Sequence, residues 1–241
     1  MLNIKRAFKR YLKAAFSFAF EQDSFDIERW RQRNALQETG KFVEQNLSRL
    51  QSSDSRYALM KVCCNRLEQK EVPGLICEFG VAGAKSINYL AKQLPDKKLY
   101  GFDSFEGLPE DWMDGLPKGT FKVTQLPAVQ TNVELIKGWF DDTLQPFLDA
   151  HPGPIALLHV DCDLYSSAKV VLEGLKKRIQ IGSIILFDEF FNYPGWKENE
   201  FKAFNEFIKC TKVYKRYPDI LKYIILLHNI LYESPTLFLS F

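Results

Sequence analysis

The chain has 241 residues, 46% of them hydrophobic and 26% charged, with a formal net charge of +2. That length fits one α/β domain with decoration, or two small ones, and buries enough surface to fold without disulfide staples. The near-neutral balance excludes a broad nucleic-acid footprint, and five cysteines without a C-x-x-C pair, beside three histidines, argue against a zinc site.

Residues 1–20 hold Lys5, Arg6, Lys9, Arg10 and Lys13 and no acid, so the remainder carries an acidic excess. Leu2, Ile4, Phe8, Leu12, Phe16 and Phe20 recur near steps of four and share one helical face. Charges and apolar residues interleave, unlike a secretory signal, and nothing approaches the ~18 apolar residues of a membrane-spanning helix. The segment is expected to be a basic amphipathic helix that packs on the domain or on a second subunit of a homodimer. Peripheral membrane contact and a transit peptide are the alternatives. The setting expected for the cysteines, as reduced thiols, is cytoplasmic, with membrane association through residues 1–20 left open.

Residues 21–72 read as a helical brace or lid, with helices over Asp26–Leu36, Thr39–Leu50 and Ser53–Leu67. Residues 73–241 form the second unit, in which strands and helices alternate. Strands are expected at Leu75–Phe79, Lys98–Phe102, Val133–Ile136, Ile155–Val160 and Ile181–Phe187, and helices at Ala84–Gln93, Asp142–His151, Ser166–Arg178 and Glu198–Lys209. This order predicts an α/β, Rossmann-like, mostly parallel sheet with right-handed crossovers. Thr211–Arg216 and Leu221–His228 read as a closing hairpin, an antiparallel edge. The apolar tail Ile230–Phe241 is expected to dock on the domain or on a partner.

The residues that can carry chemistry fall at the carboxyl ends of those strands, where open α/β sheets bind ligands. Glu78-Phe79-Gly80-Val81-Ala82-Gly83 ends the first strand and opens a helix. Gly80 and Gly83 allow a tight turn and close approach to a ligand, or simple punctuation between strand and helix. Asp103, at the tip of the next strand and 23 residues beyond Gly80, is placed to accept from ribose hydroxyls. The turn lacks a full G-x-G-x-x-G cradle, and Glu78 beside it would repel a pyrophosphate but welcome a cation. That favours S-adenosylmethionine over NAD or ATP. Ser86 and Ser104 complete the expected cofactor contacts, with the segment Ser104–Pro109 closing over the cofactor. Phe140 could flank the adenine while Asp141 or Asp142 accepts from its amino group; Asp141-Asp142 reads equally well as a helix cap.

Two acidic clusters follow, Asp161-Cys162-Asp163 and Asp188-Glu189. Carboxylates crowded at neighbouring strand tips either hold protons or gather around a cation. Without soft ligands they suit Mg2+, Mn2+ or Ca2+. Asp163 is the candidate proton acceptor, with Asp161 competing for that role. Asn192, Tyr193 and Trp196 follow the last of these strands as candidates to shape an acceptor pocket, or as a connector.

The strings C-E-F-G-V-A-G (77–83), G-F-D-S-F-E-G-L-P (101–109), G-W-F-D-D-T-L (138–144), H-V-D-C-D-L-Y-S-S (159–167) and F-D-E-F-F-N-Y-P-G-W (187–196) together resemble the macrocin O-methyltransferase family. The resemblance spans about residues 74–228. It implies a seven-stranded class I methyltransferase sheet and metal-dependent transfer from S-adenosylmethionine to a hydroxyl of a sugar, glycan or natural product. Asp161 is implied to touch both cofactor and metal, with Asp188 and Glu189 completing the ligands. Family members commonly carry Asp-Asp where this chain has Asp188-Glu189. Leu164 stands where catechol-type relatives carry a lysine, which removes a lysine base at that position. A D-x-D glycosyltransferase and a non-catalytic cofactor-binding scaffold are the alternatives.

Overall fold

The computed structural model describes residues 26–46, 55–210 and 225–227. The expectations for residues 1–20, Thr211–Arg216 and Ile230–Phe241 lie outside the described residues. Apolar runs form the strands β1 (Leu75–Phe79), β2 (Leu99–Asp103), β3 (Val133–Lys137), β4 (Ile155–Val160), β5 (Ile184–Phe187) and β6 (Ile225–Leu227). The helices are α1 (Ile27–Asn46), α2 (Arg56–Gln69), α3 (Lys85–Gln93), α4 (Phe140–Ala150), α5 (Tyr165–Leu175) and α6 (Glu200–Cys210).

The strands form one sheet in the order β3-β2-β1-β4-β5-β6, with every pairing parallel. The expected seven strands and antiparallel edge are not found among the described residues. Ile225–Leu227, inside the expected strand Leu221–His228, runs parallel to β5. A parallel neighbour needs a crossover, and the chain passes through α6 before it reaches β6. The strand order reverses between β1 and β4, and such a switch point opens a crevice at the carboxyl ends of the strands.

Alternation along the strands sorts the core into two layers. Cys77, Phe79, Phe102, Leu158, Val160 and Phe187 face α4, α5 and α6, whose Phe147, Val171 and Phe204 bury against them. Ile76, Leu99, Leu157 and Leu186 face α2 and α3, meeting Leu59, Met60, Cys63, Ile87 and Leu90. Glu78 and His159 occupy alternating positions on the α2–α3 side, so polar groups enter an otherwise apolar layer there. Cys63, Cys64, Cys77 and Cys162 are buried free thiols, and burial pushes the Cys64 thiol up to about 12.

The two helices expected over Asp26–Leu36 and Thr39–Leu50 merge into α1. Gly40 has open space around it. Thr39 is buried, and its hydroxyl accepts the N–H of Asn192 at 3.0 Å. α4 starts at Phe140 rather than Asp142, so the Asp141-Asp142 pair lies in its first turn. β5 starts three residues late because Gly182-Ser183 turns the chain, with the Ser183 hydroxyl donating to Ile155 O at 2.6 Å. No helix among the described residues is long and apolar enough to cross a membrane.

Backbone contact fixes the crevice. Gly80 N–H donates to Phe102 O at 2.9 Å, and Asp161 N–H to Phe79 O at 2.9 Å. A Cβ on Gly80 would lie 1.6 Å from the carbonyl oxygen of Asp161, at a φ of +94°. A Cβ on Gly83 would meet nothing within 4 Å. Gly80→Ala is therefore expected to destabilise the protein by at least about 3 kcal/mol, through positive-φ strain plus overlap. Gly83→Ala should stay within about 0.5 kcal/mol. Urea unfolding of the two variants measures the difference.

Candidate active site

A cavity of about 720 Å³ opens at the switch point. Its floor is the turn after β1, with Gly80, Val81, Ala82 and Gly83 followed by Lys85 and Ser86. Asp103 braces that turn. One of its carboxylate oxygens accepts the N–H groups of Val81 and Ala82, both at 2.8 Å, and the other accepts Phe105 N–H at 2.6 Å. Asp103 also lines the cavity. Ser104 follows it, and its hydroxyl accepts Glu106 N–H at 3.1 Å. Gly107, Leu108 and Pro109 continue the wall.

Trp139, Phe140, Asp141 and Asp142, after β3, also line the cavity. Phe140 packs edge-on against Phe79, with ring centroids 5.2 Å apart. Phe121 completes an aromatic mouth. Glu78, expected to attract a cation directly, lies beneath the cavity rather than on its wall. It is buried, with one oxygen taking the Ser86 hydroxyl at 2.8 Å and the other 2.8 Å from His159 Nδ1.

The two acidic clusters meet at the inner end, where Asp161, Asp163, Asp188 and Glu189 all reach the cavity. Burial and the neighbouring Asp188 and Asp163 hold the Asp161 carboxyl well above the usual carboxylate range. Burial does the same to Glu189, which hydrogen-bonds Asp163. Burial also raises Asp163, but the hydrogen bond from Glu189 works the other way, and it reaches about 6. Both acids of this pair thus lie above the ordinary carboxylate range, as buried carboxyls that crowd one another do.

Three residues outside the expected set build this end of the site. Arg56, at the start of α2, pairs with Asp188 and lies 4.0 Å from Asp161. Burial opposes its charge, but Asp188, Asp161 and Glu189 outweigh that and keep it firmly cationic. Nothing in the sequence marks this arginine among its neighbours. Glu200, fully buried at the start of α6, accepts Cys162 N–H at 3.1 Å and Asp163 N–H at 3.2 Å through one oxygen. It thereby pins a turn in which Asp163 takes a φ of +63°. Burial and the charge on Asp163 hold its carboxyl well above the ordinary range.

His159 is the third. One ligand atom from each of His159, Asp161 and Asp188 can be chosen so that all lie within 4.8 Å of one another. The Nε2 of His159 and the Oε2 of Glu189 are buried without a hydrogen-bond partner. Buried polar atoms without a partner in a cluster of carboxylates fit a divalent cation. His159 stands two residues before Asp161 on one strand face, so alternation could have found it. Asn192, Tyr193 and Trp196 are not on the cavity wall. Tyr193 and Trp196 sit in the hydrophobic core, where Trp196 meets Phe42 and Phe201, and Asn192 is bonded to α1.

The wall thus carries seven carboxylates, Asp103, Asp141, Asp142, Asp161, Asp163, Asp188 and Glu189, against Arg56 and Lys85. Such a surface receives cations and rejects polyphosphates.

A profile of the macrocin-O-methyltransferase (TylF) family matches residues 46–217. Among curated proteins, the 8-demethyl-8-(2,3-dimethoxy-alpha-L-rhamnosyl)-tetracenomycin-C 4'-O-methyltransferase of Streptomyces olivaceus is 28% identical over 156 residues, covering 54% of this chain and 58% of that protein. The demethyldecarbamoylnovobiocin O-methyltransferase of Streptomyces niveus is 24% identical over 170 residues, covering 60% of this chain and 64% of that protein. The chain therefore spans about six-tenths of the length of the curated relatives it matches. Among solved structures, a calicheamicin methyltransferase, CalS11, superposes with a TM-score of 0.53 at 26% identity, covering 62% of this chain and 69% of that one. The O-methyltransferase NovP has a TM-score of 0.52 at 21% identity, covering 66% of this chain and 72% of its own, and shares the fold.

The raised carboxyls set a pH dependence for the metal-free protein. A carboxyl whose pKa is higher when folded than when unfolded favours the fold while protonated. Its contribution is complete below the unfolded value and is lost as pH rises through the folded one. For Asp163 that window runs from the ordinary range near 4 up to about 6, and Glu200 extends it upward. In chelator the melting temperature should fall between pH 5 and pH 8, measured by differential scanning fluorimetry.

Proposed function

The chain belongs to the macrocin-O-methyltransferase family, and we propose that it transfers a methyl group from S-adenosylmethionine to a hydroxyl of a sugar, glycan or natural-product acceptor. The acidic cavity at the switch point carries this reading, because it suits a donor whose ammonium and sulfonium are cationic. The named activities of the curated relatives support it. A nucleotide-sugar donor would bring a diphosphate against the same seven carboxylates, which disfavours glycosyl transfer.

S-adenosylmethionine supplies the methyl group on a sulfonium, and a divalent cation such as Mg2+, Mn2+ or Ca2+ lowers the pKa of a hydroxyl that it polarises. The turn Gly80–Gly83 and the first turn of α3, with Ser86, offer the donor close backbone approach. Asp103 and Ser104 would hold its ribose, and Phe140 and Asp142 its base. Glu78 extends negative charge beneath the turn. Asp161, Asp188 and Glu189 are the carboxylates that would hold the cation, with Asp161 facing the donor as well.

Asp163 receives the proton of the acceptor hydroxyl at a carboxylate oxygen. Unlike Asp161 and Asp188 it is not paired by Arg56, and Glu200 fixes its backbone. Leu108, Phe121 and Val170 form the acceptor side of the cavity, because Tyr193 and Trp196 are committed to the core. The basic amphipathic pattern of residues 1–20 supports a homodimer contact or a peripheral membrane contact in the cytoplasm, which would bring a lipid-linked acceptor within reach.

Asp163→Asn should lower methyl transfer about 10²–10⁴-fold, the usual worth of a general base. It should leave S-adenosylhomocysteine binding within a few-fold. Calorimetry with S-adenosylhomocysteine and with a uridine diphosphate sugar, together with release of S-adenosylhomocysteine from a panel of rhamnosylated aromatics, tests both. Tight binding of the nucleotide sugar instead would overturn the reading, and full activity in chelator would remove the cation from it.

A further inference from the structure

Arg56 is the first residue of α2, and its guanidinium spans the tips of two strands. One terminal nitrogen pairs with Asp188, after β5, and the other lies 4.0 Å from Asp161, after β4. The guanidinium therefore approaches two of the carboxylates that would hold the cation of the proposed methyl transfer. Both sides of the contact line the same cavity.

The two sides differ in freedom. The Asp188 side chain is 3% exposed, whereas that of Arg56 is 31% exposed. The backbone of Arg56 is held, because Leu59, Met60, Cys63 and Leu67 of the same helix are buried. Only its side chain can leave. Arginine stays charged in proteins, so this charge, unlike a proton on a carboxyl, leaves the cluster only by movement. A divalent ion and a guanidinium that share carboxylates at this spacing repel one another.

We propose that Arg56 is a resident counter-ion that competes with the divalent cation for Asp161 and Asp188, and that cation binding displaces its side chain from them. In the metal-free protein Asp188 thereby keeps a counter-charge, and the ion binds by breaking an existing pair. Arg56 then sets the concentration of ion at which the site fills. A guanidinium that stayed on Asp188 as a lasting support for the ligands would have the opposite signature, because its loss would weaken the ion. The inference rests on the cation of the proposed methyl transfer and concerns how tightly that cation is held rather than what the site turns over.

Calorimetric titration of Mg2+ into the full chain, stripped with chelator, reads the competition. Arg56→Met should bind Mg2+ about 5–150-fold more tightly than the wild type, the usual range of coupling between two binding events. Arg56→Lys keeps the charge and should stay closer to the wild type. In chelator, Arg56→Met should melt below the wild type, because Asp188 loses its counter-charge, and Mg2+ should raise its melting temperature by more. Displacement itself is read without a variant. Phenylglyoxal, which modifies accessible guanidinium groups, should label Arg56 faster in Mg2+ than in chelator, as followed by peptide mass spectrometry. Weaker or unchanged Mg2+ binding by Arg56→Met, slower or unchanged labelling of Arg56 in Mg2+, or no Mg2+ binding by any of the three proteins would each overturn the proposal. Tighter Mg2+ binding by Arg56→Met in a protein that fails to bind S-adenosylhomocysteine would uphold the counter-ion and sink the methyltransferase reading instead. Methyl transfer that needs Mg2+, with the labelling of Arg56 unmoved by it, would do the reverse.

Discussion

Carboxylates gathered at the ends of β4 and β5 repel one another where water is scarce, and much of the surrounding structure answers that repulsion. Two unit charges 4 Å apart cost about 4 kcal/mol at an effective dielectric of 20, against a total stability of about 5–15 kcal/mol for a domain. Four such groups cannot all stay charged and unpaired. Arg56 pairs with Asp188, and burial and crowding hold Glu189, Asp163 and Asp161 toward their neutral forms. Each answer is reversible. A cation that enters can release the proton from Glu189 and compete with Arg56, so the same strain that costs stability favours ligand entry.

The backbone that assembles this cluster is less negotiable. β1 and β4 run side by side at the point where the strand order reverses, and Gly80 lies so close to the Asp161 carbonyl that no side chain fits between. That contact sets the distance between the turn expected to meet the methyl donor and the acids expected to meet the acceptor. Asp103 ties the turn to β2, and Glu200 ties the acidic loop to α6. Both commit carboxylates to backbone N–H groups, which ties the two loops to the fold from within the chain.

The sequence shows the sheet clearly because each buried strand is a short apolar run beside a helix with a polar start. The five strands from Leu75 to Phe187 fall close to where their apolar runs lie, and the acids fall at their tips. The edge was harder to read: Leu221–His228 is as apolar as a hairpin strand or a crossover strand, and partner direction leaves no mark in composition. Arg56 and Glu200 were not legible, since each is one charge among many on a polar helix start, and only the fold carries them to Asp188 and Asp163. Tyr193 and Trp196 misled for the opposite reason. Aromatics after a strand with an acidic tip suit a pocket or a core equally, and the choice was made by α1, whose Phe42 packs on Trp196.

That choice changes how the first two helices are understood. A brace would only cover the sheet, and a lid would leave it. α2 instead buries Leu59, Met60, Cys63, Cys64 and Leu67 against the strands, which fixes its first residue, Arg56, over Asp188. α1 is fastened to the segment after β5 by Thr39 and Phe42. The residues between α1 and the acids are therefore structural ties, and the helices before the sheet supply the cavity with its internal cation. Separating residues 26–69 from the sheet would remove the counter-charge of Asp188 along with apolar cover, so the active site and the N-terminal helices stand or fall together.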